Sequence, residues 1–537
     1  MSGGAEQPPA DFAPVEEPPT PVLLRHVFQN RFYIHSLRRL KGDDLHPLPN
    51  PWQRRRAGDD LFAPSARHVP PLSLGDAAWR APPSLGAAGA FHHAFAFLDD
   101  LLADGHEDMA RILVAAWIRD CGRWREDAWN RQVLARRIRA WLLAAPALLK
   151  GADEGFRRAF VDSLDRQAAH LARLSGQEGC AAGAMERAVS LCLHALARGG
   201  GEDGRTERWL ALLRREIASQ IPGDGGHASG NPETLFHLLR QLLLLREALL
   251  SRHMAVPAFL QRALDRMMPA LRFFRHGDGT LALFGGGRAG DAQSIGLTLQ
   301  RGGRGAKPPL SFPHTGYERL SAGRGSVIAD AGLGAEAPVS RRQYPGAFEY
   351  SLGRQHVVVN CGGAGNMGDD WSEALSRTEA HSTLSFGGAV PREALGSRVS
   401  RHEHEGASWL DIVAPLPAGV VHTRRFYLAS GGDNLRGADI IEILQGRSWP
   451  AGGVIRFHLH PALRPTPVGE GQEILLTPRS GRGWVFRTDA PDVRIEESIY
   501  CAAIPRRSHQ IVIPLPAGPE EGRDQIIFRW AFSRIGG

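Results

Sequence analysis

The sequence predicts an α+β multidomain protein, in which a helical domain is followed by a domain built as an antiparallel β-sandwich. Residues from about 86 to 274 repeat Ala, Leu and Arg at helical spacing, in blocks that end at Gly, Asn or Pro. Beyond about residue 290 the chain changes to short runs of Val, Ile, Thr and aromatic residues, which Gly, Pro and Asp separate. Because no helical block interrupts these runs, they indicate antiparallel strands that pack as a sandwich.

The first part of the chain has a composition of its own. The 537 residues suffice for two or three domains, but the first twenty hold five prolines and no basic residue. They predict a disordered leader (1–21) rather than a secretory signal, so we expect a cytoplasmic protein, with the cell envelope or periplasm as the alternative. No apolar run reaches the roughly 20 residues that cross a bilayer, so we expect no integral membrane segment.

Residues 22–85 mix aromatic and basic side chains and are expected to wrap onto the main body. A nucleic-acid-binding arm is the alternative, but no stacking motif or recognition fold supports it, so nucleic acid is not an expected partner. The net charge of +7 is spread over the whole length and need not form a patch. The five cysteines include no CxxC pair, which predicts reduced packing residues rather than disulfides or a zinc cage.

The helical domain (86–290) is predicted to contain about eight helices joined by short loops. Such a series suits a bundle, a solenoid or an α/α toroid. The stretch FGGGRAGD (284–291) lacks the GK[ST] of a phosphate loop, and we interpret it as a hinge before the sandwich domain (310–537). In that domain FYLASGGDNLRGADIIEI predicts a hairpin whose turn is GGDN.

Two stretches carry candidate functional residues. The loop IPGDGGHASGNPETLF (221–236) places Asn231 and Pro232 at a helix start, with Asn231 as the cap. Capping alone explains Asn231, and the alternative is that His227 and Asn231 face a groove. In RTEAHSTLSF (377–386) the alternation predicts a strand with His381 on its polar face, where it either bonds to solvent or handles a substrate proton.

These strings, together with LRFFRHGDGTLALF, FEYSLGRQHVVVNCG, RFHLHP and ESIYCAAIPRRSHQIVI in their order, resemble the heparinase II/III family of polysaccharide lyases. The resemblance covers roughly residues 80 to 535. It implies an incomplete α/α toroid packed on the sandwich, with an acidic polysaccharide or oligosaccharide held between them. The implied reaction is β-elimination at a uronic acid, which needs a group that neutralises the carboxylate, a base for the C5 proton and an acid for the departing O4.

The resemblance assigns His381 to the family's sandwich histidine, which acts as acid, base or charge stabiliser. The family's toroid tyrosine has no counterpart, because no tyrosine lies between Tyr33 and Tyr317. If the chain eliminates, other residues must act, and residue type and loop position predict them. They are His227 or His276 as the base, Asn231 or Arg275 at the carboxylate, Tyr344 or Tyr350 as the proton donor, and Arg275, His276 and Arg377 as substrate-binding residues.

No cofactor and no metal are expected. Some family members hold a metal through a histidine two residues beyond the sandwich histidine, and that place is Thr383 here. His402 and His404 share one strand face, as do His458 and His460, so two such pairs could bind a metal. Solvated histidines are the favoured interpretation, since no carboxylate or cysteine sits at a spacing that would close the site.

Two functions remain open from the sequence. The first is a lyase that acts on an acidic, uronate-containing glycan. The second is a catalytically silent glycan-binding or envelope-associated scaffold of the same fold, and either is compatible with a homodimer. They separate on geometry, because the lyase loses its site if His381 lies far from His227 and Asn231.

Overall fold

The computed structural model describes residues 45–51, 92–174, 181–200, 204–302, 308–333, 341–365, 367–387, 396–445, 447–469, 472–519 and 524–536. The predicted leader 1–21 lies outside these residues, as does the predicted wrapping segment 22–85 except for 45–51. The chain divides into two compact units, with the first helices in one and the later helices in the other, together with the strands.

The first unit is helical and has an aromatic core. Its described helices are α1 (Leu98–Ala103), α2 (Glu107–Cys121), α3 (Glu126–Trp129), α4 (Arg131–Leu149) and α5 (Glu154–Arg173). Trp117 and Trp141 are fully buried, and their rings meet edge to face with 5.4 Å between centroids. Arg137 is buried beside them and donates to two backbone carbonyls at 2.8 Å, so its charge is solvated by the backbone.

The second unit contains the remaining described helices, and its helix starts follow the sequence signals. They are α6 (Ala181–Ala197), α7 (Arg205–Gln220), α8 (Pro232–Ser251), α9 (Ala258–Phe273), α10 (Ala292–Arg301) and α11 (Asp369–Ala374). Asn231 accepts a hydrogen bond from the Thr234 amide and Pro232 is the first helical residue of α8, which confirms the predicted cap. Helix α10 was not predicted, although Asp291 caps it in the same way.

The sandwich consists of two antiparallel sheets. Its strands are β1 (Ser311–Phe312), β2 (Tyr317–Ala322), β3 (Gly325–Asp330), β4 (Phe348–Leu352), β5 (Gln355–Val359), β6 (Leu384–Ser385), β7 (Arg398–His404), β8 (Ala407–Leu416), β9 (Val420–Leu428), β10 (Asn434–Ile443), β11 (Val454–Leu459), β12 (Leu463–Val468), β13 (Glu473–Pro478), β14 (Trp484–Thr488), β15 (Arg494–Tyr500), β16 (Arg506–Pro514) and β17 (Gln525–Arg534). One sheet has the order β1-β2-β3-β4-β5-β11-β16-β15, with β6 beside β11, and the other has the order β12-β13-β14-β17-β10-β9-β8-β7.

An apolar core joins the two sheets. Phe348 of the first sheet stacks on Trp530 of the second with 5.6 Å between ring centroids, and Phe457 packs against the same indole. Strands β9 and β10 pair along their length, which confirms the predicted GGDN hairpin. Helices followed by an antiparallel sandwich confirm the predicted fold class.

In the described part of the chain, no helix combines the length and the apolar character that a bilayer-crossing segment requires.

Candidate functional site

His381 lies at the end of a short turn, just before β6. The predicted strand over 381–386 is reduced to Leu384–Ser385, because side-chain bonds hold the residues ahead of it. Ser382 donates its hydroxyl proton to the Val359 carbonyl at 2.7 Å and accepts from the His458 amide at 2.9 Å. The imidazole of His381 is buried, with 3% exposure, and does not lie on a solvent-exposed polar face.

The imidazole of His381 is stacked on the phenol ring of Tyr344. The ring centroids are 3.5 Å apart at an interplanar angle of 13°, and Nδ1 of His381 donates to the Arg377 carbonyl at 3.0 Å. Burial lowers the pKa of His381 to about 3, despite the opposing hydrogen bond to Arg377. Within the described residues no hydrogen bond reaches Nε2, which is the one ring nitrogen that remains available for chemistry.

The Tyr344 hydroxyl is committed to the backbone. It donates its proton to the Ser376 carbonyl at 2.7 Å, and burial raises its pKa above the ordinary value. A proton bound to a carbonyl and held by a raised pKa is a poor one to transfer at neutral pH.

The second candidate pair lies in the loop between α7 and α8, and both residues hold that loop together. His227 is 3% exposed, and its Nδ1 lies 2.7 Å from the Ser229 hydroxyl. Its Nε2 faces Gln220 Oε1 at 3.4 Å, and burial lowers its pKa to about 4. Asn231 caps α8 with its side-chain oxygen and donates its amide to the Gly285 carbonyl at 3.1 Å.

A polar network attaches this loop to the sandwich. Asp224 accepts from the amide and hydroxyl of Thr315 at 2.7 and 2.6 Å. The Tyr317 hydroxyl donates to the Gly230 carbonyl at 2.7 Å, and the guanidinium of Arg341 lies 4.4 Å from the same tyrosine ring. Tyr317 on β2 thus contacts the loop before α8, which no local sequence signal indicated.

The network continues toward the pair of His381 and Tyr344. Arg341 donates to Asp330 at 3.0 Å, and Asp330 accepts from the Tyr344 amide at 3.2 Å. No hydrogen bond or ring contact among the described residues joins His227 or Asn231 directly to His381. The two candidate pairs are linked only through intervening side chains.

The other predicted site residues lie elsewhere. Tyr350 points into the sandwich core, fully buried, and its hydroxyl donates to the Gly432 carbonyl at 2.9 Å. Arg377 pairs at the surface with Glu373 at 2.7 Å. Arg275 Nε donates to the Gly279 carbonyl at 3.3 Å, and His276 is buried in a different polar cluster. Strand alternation explains Tyr350, because it shares its face with the core residue Phe348.

Among the described residues, those around Thr383, the place of the family's metal ligand, supply no ligand set. The Thr383 hydroxyl donates to the Pro345 carbonyl at 2.8 Å. Nearby, the guanidinium of Arg424 and the imidazole of His422 both bond to the carboxylate of Asp439. These residues do not fit an ion at that place, since a fixed guanidinium already neutralises the carboxylate.

Comparisons with known proteins place this architecture in a family. Residues 304–531 match the family model described as heparinase II/III-like, C-terminal. FtsZ-localized protein C of Caulobacter vibrioides (strain NA1000 / CB15N) is 32% identical over 478 residues, which is 83% of this chain and 81% of that protein.

Solved structures agree at the level of the fold. Heparinase III has a TM-score of 0.66 at 13% identity, covering 86% of this chain and 79% of its own. Heparan sulfate lyase HepC from Pedobacter heparinus has a TM-score of 0.57 at 16% identity, covering 88% and 78%. The chain belongs to the heparinase II/III-like family.

Proposed function

We propose that this protein is an FtsZ-localised, non-catalytic member of its family. The observation that carries the proposal is the state of the acid–base groups. The Tyr344 hydroxyl is bonded to the Ser376 carbonyl, and the His381 ring lies flat against that phenol. Elimination requires a base and an acid that both reach the substrate, together with a group that neutralises the uronate.

The other residues predicted for elimination are committed in the same way. His227 and Asn231 hold the loop before α8, and Tyr350 lies in the sandwich core. Because each of these polar atoms has a structural partner, recruiting it to a sugar would require breaking a buried hydrogen bond. The likeness to FtsZ-localized protein C, which spans over four fifths of both chains, supports the proposed FtsZ-localised role. We also propose the cytoplasm as the compartment.

The second candidate function is a lyase that acts on an acidic, uronate-containing glycan. It is favoured by one atom, Nε2 of His381, which has no hydrogen-bond partner in the described chain. Burial lowers the pKa of this imidazole to about 3, so the ring is neutral but is a weaker base than an ordinary histidine. In this case Arg377, whose backbone carbonyl accepts from His381, would be the cation that binds the uronate.

An elimination assay distinguishes the two candidates. The full chain is mixed with a panel of uronic-acid glycans, and ultraviolet absorbance of the unsaturated uronate end is recorded for the native protein, His381→Ala and His402→Ala. His402 is an exposed histidine on β7 and serves as the control. We expect no rise for any of the three. A rise that His381→Ala alone abolishes would establish the lyase and overturn the non-catalytic proposal.

A localisation assay tests the proposed FtsZ-localised role. A fluorescent fusion of the full chain is imaged together with labelled FtsZ in the organism that encodes both, and the purified chain is sedimented with FtsZ polymers. We expect coincident signals, unchanged by His381→Ala. A diffuse fusion, with no protein in the polymer pellet, would refute the FtsZ-localised role even if no elimination is seen.

A further inference from the structure

A second buried polar cluster lies between the end of α9 and the first sheet. After α9 the chain HGDGT forms a tight hairpin, closed by a bridge between Arg275 and Leu281. His276 from this hairpin meets Glu349 and Ser351 of β4 and His356 of β5. None of these residues belongs to the His381 site.

Three of these side chains are arranged as ligands. One candidate ligand atom from each of His276, Glu349 and His356 lies within 4.8 Å of the other two, and all three residues are buried. Nε2 of His276 is 2.9 Å from Oε2 of Glu349, and the two imidazole centroids are 4.5 Å apart. Two imidazoles and one carboxylate form a donor set that divalent transition ions prefer.

Each ligand is oriented by a second partner. Nδ1 of His276 bonds to the Ser351 hydroxyl at 2.8 Å, and Nε2 of His356 bonds to Asp278 Oδ2 at 3.0 Å. Oε1 of Glu349 accepts from the Leu283 amide at 3.0 Å, which leaves Oε2 directed at His276. Ligating histidines commonly donate their other ring nitrogen to a carboxylate or hydroxyl, as both do here.

One atom indicates that the protein groups alone do not complete the cluster. Nδ1 of His356 is buried and has no hydrogen-bond partner in the described chain. Burying such a nitrogen without a partner is unfavourable, because it loses its hydrogen bond to water.

We propose that His276, Glu349 and His356 bind a divalent transition-metal ion, with Zn²⁺ as the ion to test, at a site separate from the pair of His381 and Tyr344. The ion links the hairpin after α9 to strands β4 and β5. Its role is structural, because the three ligands are at most 6% exposed. Thr383, at the place of the family's metal ligand, predicts no metal there, and the proposed site uses other residues.

Metal binding is measured on the full chain. The purified protein is stripped with a chelator and titrated with Zn²⁺ and, for its visible absorption, Co²⁺, and bound metal is counted by mass spectrometry. The variants are His356→Gln and Glu349→Gln, which remove ligands, and Asp278→Asn, which removes only the carboxylate behind His356. His458→Gln is the matched control, a buried histidine of β11 outside the cluster.

The native protein and His458→Gln are expected to bind one ion per chain and to melt at a higher temperature with Zn²⁺ than without it. The ligand variants should bind at least tenfold more weakly and lose this shift, and Asp278→Asn should bind about tenfold more weakly. If a ligand variant fails to fold, the native stoichiometry and Asp278→Asn decide. Less than a tenth of an equivalent on the native chain, or equal binding by the native chain and the ligand variants, would overturn the proposal.

Discussion

The ion pair between Arg424 and Asp439 is the most deeply buried charge pair described in the sandwich, with both side chains 0% exposed. Nε and Nη2 of Arg424 donate to the two carboxylate oxygens at 2.7 and 3.0 Å. Its Nη1 donates to the carbonyls of Gly346 and Ser382 at 2.8 and 2.7 Å. Because Ser382 follows His381, this arginine also positions the candidate site.

Arg424→Met removes these four bonds and leaves the carboxylate of Asp439 buried. Breaking one partner of a buried pair costs about 3–5 kcal/mol. His422 and Trp530 still donate to Asp439, at 2.6 and 2.8 Å, so we expect the lower end, about 3 kcal/mol.

The pH dependence of this cost follows from the carboxylate. Burial alone would raise the pKa of Asp439, but Arg424 and His422 lower it well below its ordinary value of 3.8. A lowered pKa contributes stability above the unfolded value, and that stability is lost as the pH falls through the folded value. The cost of Arg424→Met should therefore shrink below about pH 4.

The matched control is Arg425→Met, on the same strand. Arg425 is 57% exposed, and its Nε lies 3.0 Å from Asp411 Oδ2, so its loss should cost about 0–1 kcal/mol. Urea unfolding followed by tryptophan fluorescence measures both variants, and Asp439→Asn completes a double-mutant cycle. Equal costs for Arg424→Met and Arg425→Met, or strictly additive effects in the cycle, would show that the buried pair does not hold the sandwich.

Three further outcomes are expected. Burial alone would raise the pKa of Glu233, but hydrogen bonds and charge from His237 and Arg288 lower it to about 2. Glu233→Gln should therefore cost about 2 kcal/mol in thermal unfolding above pH 4.5, a cost that fades as the pH falls toward 2, and a pH-independent cost would contradict this. Gly230→Ala should lower the melting temperature more than Gly286→Ala. Both glycines have a positive φ, but only a Cβ at 230 would meet a neighbour, at 2.5 Å from Arg341 Nε. Equal melting temperatures of the two variants would contradict this prediction. Cys361, whose pKa burial raises to about 12, should resist iodoacetamide at pH 8 until urea is added, as peptide mass spectrometry would show, and rapid native labelling would refute its burial.

The parts of the fold that were predictable from the sequence depend on local signals. The helix cap at Asn231 and the hairpin at GGDN follow from residues within a few positions of one another. The change from Ala–Leu–Arg blocks to β-branched runs likewise fixed the order of helices and strands. These signals depend on backbone preference, which the local sequence carries.

The candidate site was less predictable, because the burial of its polar side chains depends on residues that are distant in the sequence. Strand β4 alternates apolar and polar side chains, a pattern that indicates one wet face, yet every residue in it is buried. Glu349 and Ser351 are covered by His276, which lies over seventy positions earlier in the chain. His381 was predicted to be exposed for the same reason, since its burial depends on the distant Tyr344.

The lyase alternative and the metal proposal rest on different polar groups and make different demands on them. A lyase must release the Tyr344 hydroxyl from the Ser376 carbonyl before that proton can reach a sugar. The metal proposal requires no such movement, because Ser351 and Asp278 already orient the two imidazoles toward a shared centre. If the chain binds the ion but does not catalyse β-elimination, its buried polar groups serve to stabilise the fold. A chain that does both would have to combine a rigid hairpin after α9 with a mobile pair at His381.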